Sequence, residues 1–323
     1  MNRILPIVAL LGFFGLLPFV AEAMGQTSLI TLGARIIIYA IAAASLNFIL
    51  GYGGMVSFGH AAFFGVGAYV VGILTFHHSS GEPLWGIIPG SGQMLVTIPF
   101  AMIVAGLAAL VIGALSLRTG GVQFIMITLA FAQLVFFFFI SLTGYGGEDG
   151  IIMRRTNALF GLNMRDRVTL YFVILGFAIP FFFVLWRMIH SSFGAVLTGI
   201  KQNERRLAAM GIAPYRYKLM AFVLSGMGVG LAGALEANLL RFTSPDTMHW
   251  LKSGDLIIII ILGGVGTFYG PILGAAVFLL LEYYLAGLTE HWQLILGLIL
   301  LVVVLGTHGG IVALLGKFKR LST

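Results

Sequence analysis

Apolar residues in this chain come in long runs rather than in alternating or striped patterns. Segments of about 20 residues with little or no charge read as membrane-spanning helices, because a helix satisfies every backbone N–H and C=O within the segment. The runs predict spans over 4–19, 29–50, 57–76, 94–115, 122–142, 168–189 and 219–240. The stretch 255–285 is too long for one ordinary helix and is interrupted by GGVGTFYGP at 263–271, so it reads as two shorter spans, with a last one over 291–306. A membrane β-barrel would alternate polar and apolar positions, which LIIIIIL at 256–262 does not. The expected fold class is an all-α polytopic membrane protein of about ten transmembrane helices, some short or broken. A single transmembrane domain covers 1–323.

Composition sharpens this reading. Only 9% of the 323 residues are charged, and the mean hydropathy is +1.06. A soluble domain carries about a quarter charged residues. Cys is absent, which excludes disulfides and thiolate metal sites. The net charge of +7 would suggest nucleic acid in a soluble protein. Here it reads as the excess of Lys and Arg in cytoplasmic loops, and no nucleic-acid partner is expected.

The start, MNRILPIVALLGFFGLLPFVAEAMG, has the basic opening and the Ala21-Glu22-Ala23 ending of a signal peptide. With further spans behind it, 1–24 is expected to be a retained first span. Charge then sets sidedness. The segment 190–217 and the tail residues Lys317, Lys319 and Arg320 should be cytoplasmic, and an even number of spans must separate them. Splitting 255–285 satisfies this and puts both termini inside. The loop 145–167 runs against the rule. It carries Arg154, Arg155, Arg165 and Arg167 yet falls outside, offset in part by Glu148, Asp149 and Asp166.

Glycine is abundant, with 44 residues. Small residues four apart (Ser57, Ala61, Gly65; Gly226, Gly230; Gly266, Gly270, Gly274) let helix backbones approach closely in lipid. The alternative is unwound backbone lining a path. GYGGMVSFGHAAFFG and GGVGTFYGPILG share paired glycines, then Ser/Thr-Phe, then Gly, which hints at a parallel internal repeat.

Enzyme signatures are missing. LLGK at 314–317 lacks the upstream Gly and the following Ser/Thr of a phosphate-binding loop, and neither HExxH nor Gly-x-Ser-x-Gly occurs. Ser57 and His60, three apart, would share a helix face, but no carboxylate lies nearby in sequence to orient a catalytic pair. Polar residues within spans are costly and often functional; Arg35, Asn47, His60, Gln123, Gln133, Glu236, Asn238, Asp255 and Glu282 qualify. Arg35, Glu236, Asp255 and Glu282 fall near the expected span ends, where snorkelling or headgroup water would explain them. A secondary carrier wants acids at the midplane, and none is evident. A membrane-embedded enzyme wants converging ligands, and the seven His form no ligand motif.

The sharpest exception to the apolar pattern is GIKQNERRLAAMGIAPYRYKLMAF at 199–222. Read as a helix, 200–210 places Ile200, Leu207 and Met210 on one face, with Lys201 and Arg205 turned away. Gly211 supplies a stop and Pro214 prevents continuation. The result is either a solvated loop that fixes topology or a short helix that docks into a partner's groove.

This stretch, with SLNFILGYGGMVSFGHAAFFGVGAY (45–69), SGDLIIIIILGGVGTFYGPILGAAVFLLLE (253–282) and HWQLILGLILLVVVL (291–305), resembles the LivM-like permease subunits of bacterial ABC importers for branched-chain amino acids. The resemblance covers nearly the whole chain after the first span. It implies that 190–217 is the ATPase-coupling loop, with Glu204, Ala208, Ala209 and Gly211 as its Glu-Ala-Ala-plus-Gly signature. Arg205, Arg206 and Leu207 intervene where the broader consensus has Glu and Ala adjacent. Lys201, Arg205 and Arg206 would orient the loop on its partner.

The resemblance further implies a homologous second permease, two cytoplasmic ABC ATPases and an extracytoplasmic solute-binding protein. The chain itself would hold no cofactor, ATP and Mg being bound by the ATPases, and would sit in the bacterial inner membrane. The cargo implied is Leu, Ile or Val; relatives carry urea, short amides or other amino acids. LTGYGGEDGI (142–151) would face the binding protein. An uncharged path is expected among Asn47, Ser57, His60 and the break at Gly263, Gly264, Gly266 and Gly270.

Overall fold

The computed structural model describes residues 5–23, 25–84, 89–154, 156–306 and 309–312. Arg3, Arg155, the LLGK segment and the basic tail lie outside the described residues. Helices α1 (Leu5–Ala23), α2 (Thr27–Asn47), α3 (His60–Ser80), α4 (Met94–Ser116), α5 (Val122–Ser141) and α6 (Arg167–Ile189) are followed by α7 (Ser192–Ala209) and α8 (Pro214–Leu240). The chain ends in α9 (Trp250–Gly263), α10 (Gly270–Leu288) and α11 (Trp292–Gly306). Among the described residues, seven helices are long and apolar enough to cross a membrane. With α1 and the shorter α9 and α11, each expected span has a helical counterpart, and α7 is the extra, charged one.

Helices α2, α3 and α8 form the buried centre. Glycine allows it: a Cβ at Gly67 would strike the Gly230 carbonyl, and one at Gly233 the Phe64 carbonyl. These small residues let backbones meet where larger side chains would hold them apart. Around this centre, α4, α5 and α6 turn large apolar side chains outward, among them Val111, Leu134 and Phe183, each more than 60% exposed. In lipid that is an ordinary outer surface.

At one end of the bundle, β1 (Ile151–Ile152) pairs antiparallel with β2 (Phe242–Thr243). Asn157 joins this end by donating to Asn238 Oδ1 (2.8 Å) and accepting from Thr75 (2.9 Å). Asp166 caps α6, its carboxylate accepting from the Thr169 hydroxyl (2.7 Å) and backbone N–H (3.0 Å). Those bonds, the hydroxyl's first, hold its pKa below the usual value. The loop's described arginines, Arg154, Arg165 and Arg167, lie at this end, opposite α7. The charge inconsistency read from the sequence therefore remains in the fold.

Two crossings are only partly helical. The third span was expected to begin at Ser57, but α3 begins at His60 and Ser57 lies in the non-helical chain before it. The second is the approach to α9. Thr243 packs at Gly72, Met248 at Gly65, and Ser253 Oγ accepts from Ala61 N–H (2.8 Å). The stretch 243–253 therefore descends along α3 by about 16 Å, at the 1.5 Å rise of the helix beside it. Irregular backbone at this depth is tolerable because it packs on protein and not on lipid.

Candidate functional site: a tied break and a coupling loop

The two glycine-rich segments that resembled each other in sequence meet in space. Helix α2 ends in a π-helical turn (Phe48–Tyr52) and then unwinds; α9 ends at Gly263 and the chain turns through 264–269 before α10. At their junction Asn47 acts as a clip. Its Oδ1 accepts from Gly266 N–H (2.9 Å) and its Nδ2 donates to the Thr267 carbonyl (2.9 Å). The amide orientation follows from its partners, one a donor and the other an acceptor. Gly51 packs on the same turn, where a Cβ would lie 2.6 Å from Gly266 Cα.

Glycine is required within the break itself. Gly264 and Gly266 have φ of +126° and +74°, which L side chains rarely adopt. Gly263 and Gly270 close the turn backbone to backbone, and Thr267 Oγ1 donates to the Gly264 carbonyl (2.7 Å) and accepts from Gly270 N–H (3.1 Å).

His60 and Ser57 do meet, but through a capping turn and not on one helix face. His60 Nδ1 lies 3.0 Å from Ser57 Oγ, and Nε2 lies 3.0 Å from Ser225 Oγ. Ser225 donates its proton to the Ser45 carbonyl (2.6 Å). His60 Nε2 must then donate to Ser225, and Nδ1 accepts from Ser57. The ring fastens α2, α3 and α8 together. Asn47, Ser57 and His60 are all buried within the chain's own packing, where their hydrogen bonds fasten its segments together.

The charged segment departs from the expected single helix over 200–210. Helix α7 starts at Ser192 and is interrupted at Asn203, whose φ of −158° and ψ of 98° are extended. Asn203 Oδ1 accepts from Arg206 N–H (3.0 Å), capping a second short turn. This turn folds back so that Leu207 packs over Gly199. Met210, expected on one face with Ile200 and Leu207, is 63% exposed, whereas Ile200 is buried.

The stop forms as expected. Gly211 (φ +84°) donates to the Ala208 carbonyl (3.0 Å) and Ile212 N–H to the Leu207 carbonyl (3.2 Å), the paired bonds of a Schellman cap. Pro214 then opens α8, which therefore starts earlier than the expected Leu219.

Exposed Arg205, Arg206, Ala208, Ala209 and Gly211 make a small-residue surface flanked by cations. Glu204 is engaged with Lys218 of α8. Lys201, expected to turn away from the face of Ile200, Leu207 and Met210, reaches the turn that ends α2. Its Nζ donates to the Gly51 carbonyl (2.7 Å), with its stem against Gly54. The charged segment is thus fastened to the α2 turn, and through Gly51 and Asn47 to the α9–α10 break.

Sequence reasoning missed Lys252, because the eighth span was drawn from Asp255. Helix α9 in fact begins at Trp250, and Lys252 sits one turn before Asp255 on the same helix. The rule that intramembrane charge seeks a partner would have found it.

Residues 28–305 match the family described as the permease component of branched-chain amino acid transport systems. The high-affinity branched-chain amino acid permease protein LivM of Escherichia coli is 26% identical over 298 residues, covering 85% of this chain and 67% of the relative. The galactose/methyl galactoside import permease MglC of Salmonella typhimurium is 28% identical over 148 residues, 43% of this chain and 42% of its own length. The ribose import permease RbsC of Bacillus subtilis is 29% identical over 134 residues, 38% and 41% respectively. No solved structure matches the chain. The match spans all helices from α2 to α11, including the fastened break and the charged loop, and the chain therefore belongs to the branched-chain amino acid permease family of ABC transporters.

Proposed function

We propose that this chain forms half of the translocation path of an ABC importer for Leu, Ile or Val. A homologous permease supplies the other half, and two ATPases binding ATP and Mg drive it. An extracytoplasmic binding protein delivers the cargo. The observation that carries this reading is the bond from Lys201 to the Gly51 carbonyl. It makes a surface segment continuous with the broken-helix junction, as a mechanical input requires.

In this scheme α7 faces the cytoplasm, with Arg205, Arg206, Ala208, Ala209 and Gly211 against an ATPase. Both termini share that side of the bacterial inner membrane. The end bearing β1 and β2 receives the binding protein. Catalysis lies in the partners.

Gly211→Arg tests the loop assignment. Its surroundings are open, so the bundle should fold and insert, while a large cation at positive φ disturbs the docking surface. Uptake should be abolished, and ATP hydrolysis should no longer respond to loaded binding protein. Undiminished uptake would remove α7 as the coupling element.

A further inference from the structure

Charged side chains are scarce in the membrane-embedded part, yet five from four helices converge: Arg35 of α2, Glu236 of α8, Lys252 and Asp255 of α9, and Glu282 of α10. Arg35 pairs with Glu282 at 3.5 Å and lies 5.8 Å from the Tyr39 ring centre. Lys252 is hydrogen-bonded to the Tyr39 hydroxyl and sits over the Tyr39 and Phe64 rings. Asp255 is within electrostatic reach of Lys252 and Glu282, and Glu236 of Arg35 and Lys252. Arg35, Glu236, Asp255 and Glu282 lie four to eight residues from an end of their helices, near span ends as the sequence suggested. Glu236 is 5% exposed, and its Oε2 is buried without a hydrogen-bond partner.

Three features separate this cluster from a closed structural ion pair. The Arg35 and Glu282 side chains keep 31% and 26% of their surface exposed, and exposed charge does not face lipid. The Arg35–Glu282 bond uses one guanidinium nitrogen at long range, leaving donors of the fork for a second carboxylate. The acids outnumber the cations, three to two, which leaves room for a bound ammonium. Beside these charges, in the same stripe of α9 as Asp255, Leu251 and Ile261 are exposed and Ile258 is half-buried against the core.

We propose that this cluster is a transit subsite for a zwitterionic aliphatic α-amino acid. Arg35 takes the α-carboxylate. Asp255 and Glu282 take the α-ammonium, and the stripe of Leu251, Ile258 and Ile261 lies along the side chain. Lys252, Tyr39 and Glu236 stand behind them as a positioning layer. Affinity there must be modest, since the cargo has to leave as readily as it enters. This inference rests on the amino-acid importer reading and adds a location and a chemistry to it.

The test uses the whole complex in proteoliposomes, with Arg35→Gln and Asp255→Asn as variants. Leucine uptake per ATP should fall by about tenfold to a hundredfold, the loss of one charged hydrogen bond to a ligand. Hydrolysis stimulated by leucine-loaded binding protein should remain, since the coupling loop is untouched. Because the chain has no Cys, Ile258→Cys supplies a second, fold-independent readout. Its alkylation should be slowed by leucine and not by the uncharged 4-methylpentanamide.

Unchanged uptake in both variants, or no protection of Cys at 258 by leucine, would overturn the subsite. Equal protection by the amide would overturn the zwitterion chemistry. Uptake that comes to depend on Na⁺ or protons at these positions would show a cation site instead. Failure of the importer reading looks different: the unaltered complex would show no amino-acid-stimulated hydrolysis at all.

Discussion

Asn47 should be the most sensitive fastener in the molecule. It is nearly completely buried and makes two bonds of opposite sense, one accepted from Gly266 N–H and one donated to the Thr267 carbonyl, both at 2.9 Å. Asn47→Ala removes both and leaves a backbone donor and a backbone acceptor without partners in a site that admits little water. Each such orphan costs about 1–3 kcal/mol. Asn47→Asp keeps the acceptor for Gly266, cannot donate to Thr267, and introduces a buried negative charge. Asn47→Leu removes both bonds but fills the volume.

The predicted order of destabilisation follows from orphaned groups and not from size: Ala and Leu alike, Asp comparable or worse. The assay is thermal unfolding of the detergent-solubilised complex, with uptake measured in parallel. Uptake should fall more than stability does, because the freed turn no longer follows the Gly51 segment. Leu restoring stability relative to Ala would show that Asn47 acts by packing, and would refute the clip.

Other fasteners give independent checks. Lys201→Met, which cuts the bond to the Gly51 carbonyl, should lower uptake per ATP by about tenfold, with Lys201→Arg a partial rescue and assembly retained. Ser225→Ala orphans His60 Nε2 and removes one of the bonds to the Ser45 carbonyl, and should lower the unfolding temperature with a cost of about 1–3 kcal/mol. Asp166→Ala should cost about 1 kcal/mol through loss of the α6 cap, and Asp166→Asn much less. The capping bonds depress the Asp166 pKa, so its contribution is full above the unfolded carboxylate value near ~4 and is lost as pH falls through the lower folded value. Thermal unfolding between neutral and acidic pH should show this component vanish in the Asn variant.

Much of this architecture was legible because lipid leaves few choices. A long uncharged run must be a helix, and each expected span coincides with one to within a few residues. Splitting 255–285 at its glycines was also correct, since the φ values at Gly264 and Gly266 end α9. What stayed hidden depended on side chains acting across the sequence. Nothing local says that Asn47 reaches Gly266, or that Lys201 turns back to Gly51. The break at Asn203 was missed because the amphipathic pattern runs through it, while the capping preference of Asn decides the backbone. Arg35, Glu236, Asp255 and Glu282 each read as a snorkelling or interfacial charge when taken alone. Only the fold shows them meeting with Lys252.

The most direct test of the account is reconstitution of this chain with its sister permease, ATPases and binding protein in sealed vesicles. ATP hydrolysis and solute uptake would be measured together, with Leu, Ile, Val, urea, galactose and ribose as cargo. The account predicts that binding protein loaded with Leu, Ile or Val stimulates hydrolysis and that the same solute accumulates only with ATP. Uptake by this chain alone without ATP, or accumulation of a sugar or urea in place of the aliphatic amino acids, would contradict it.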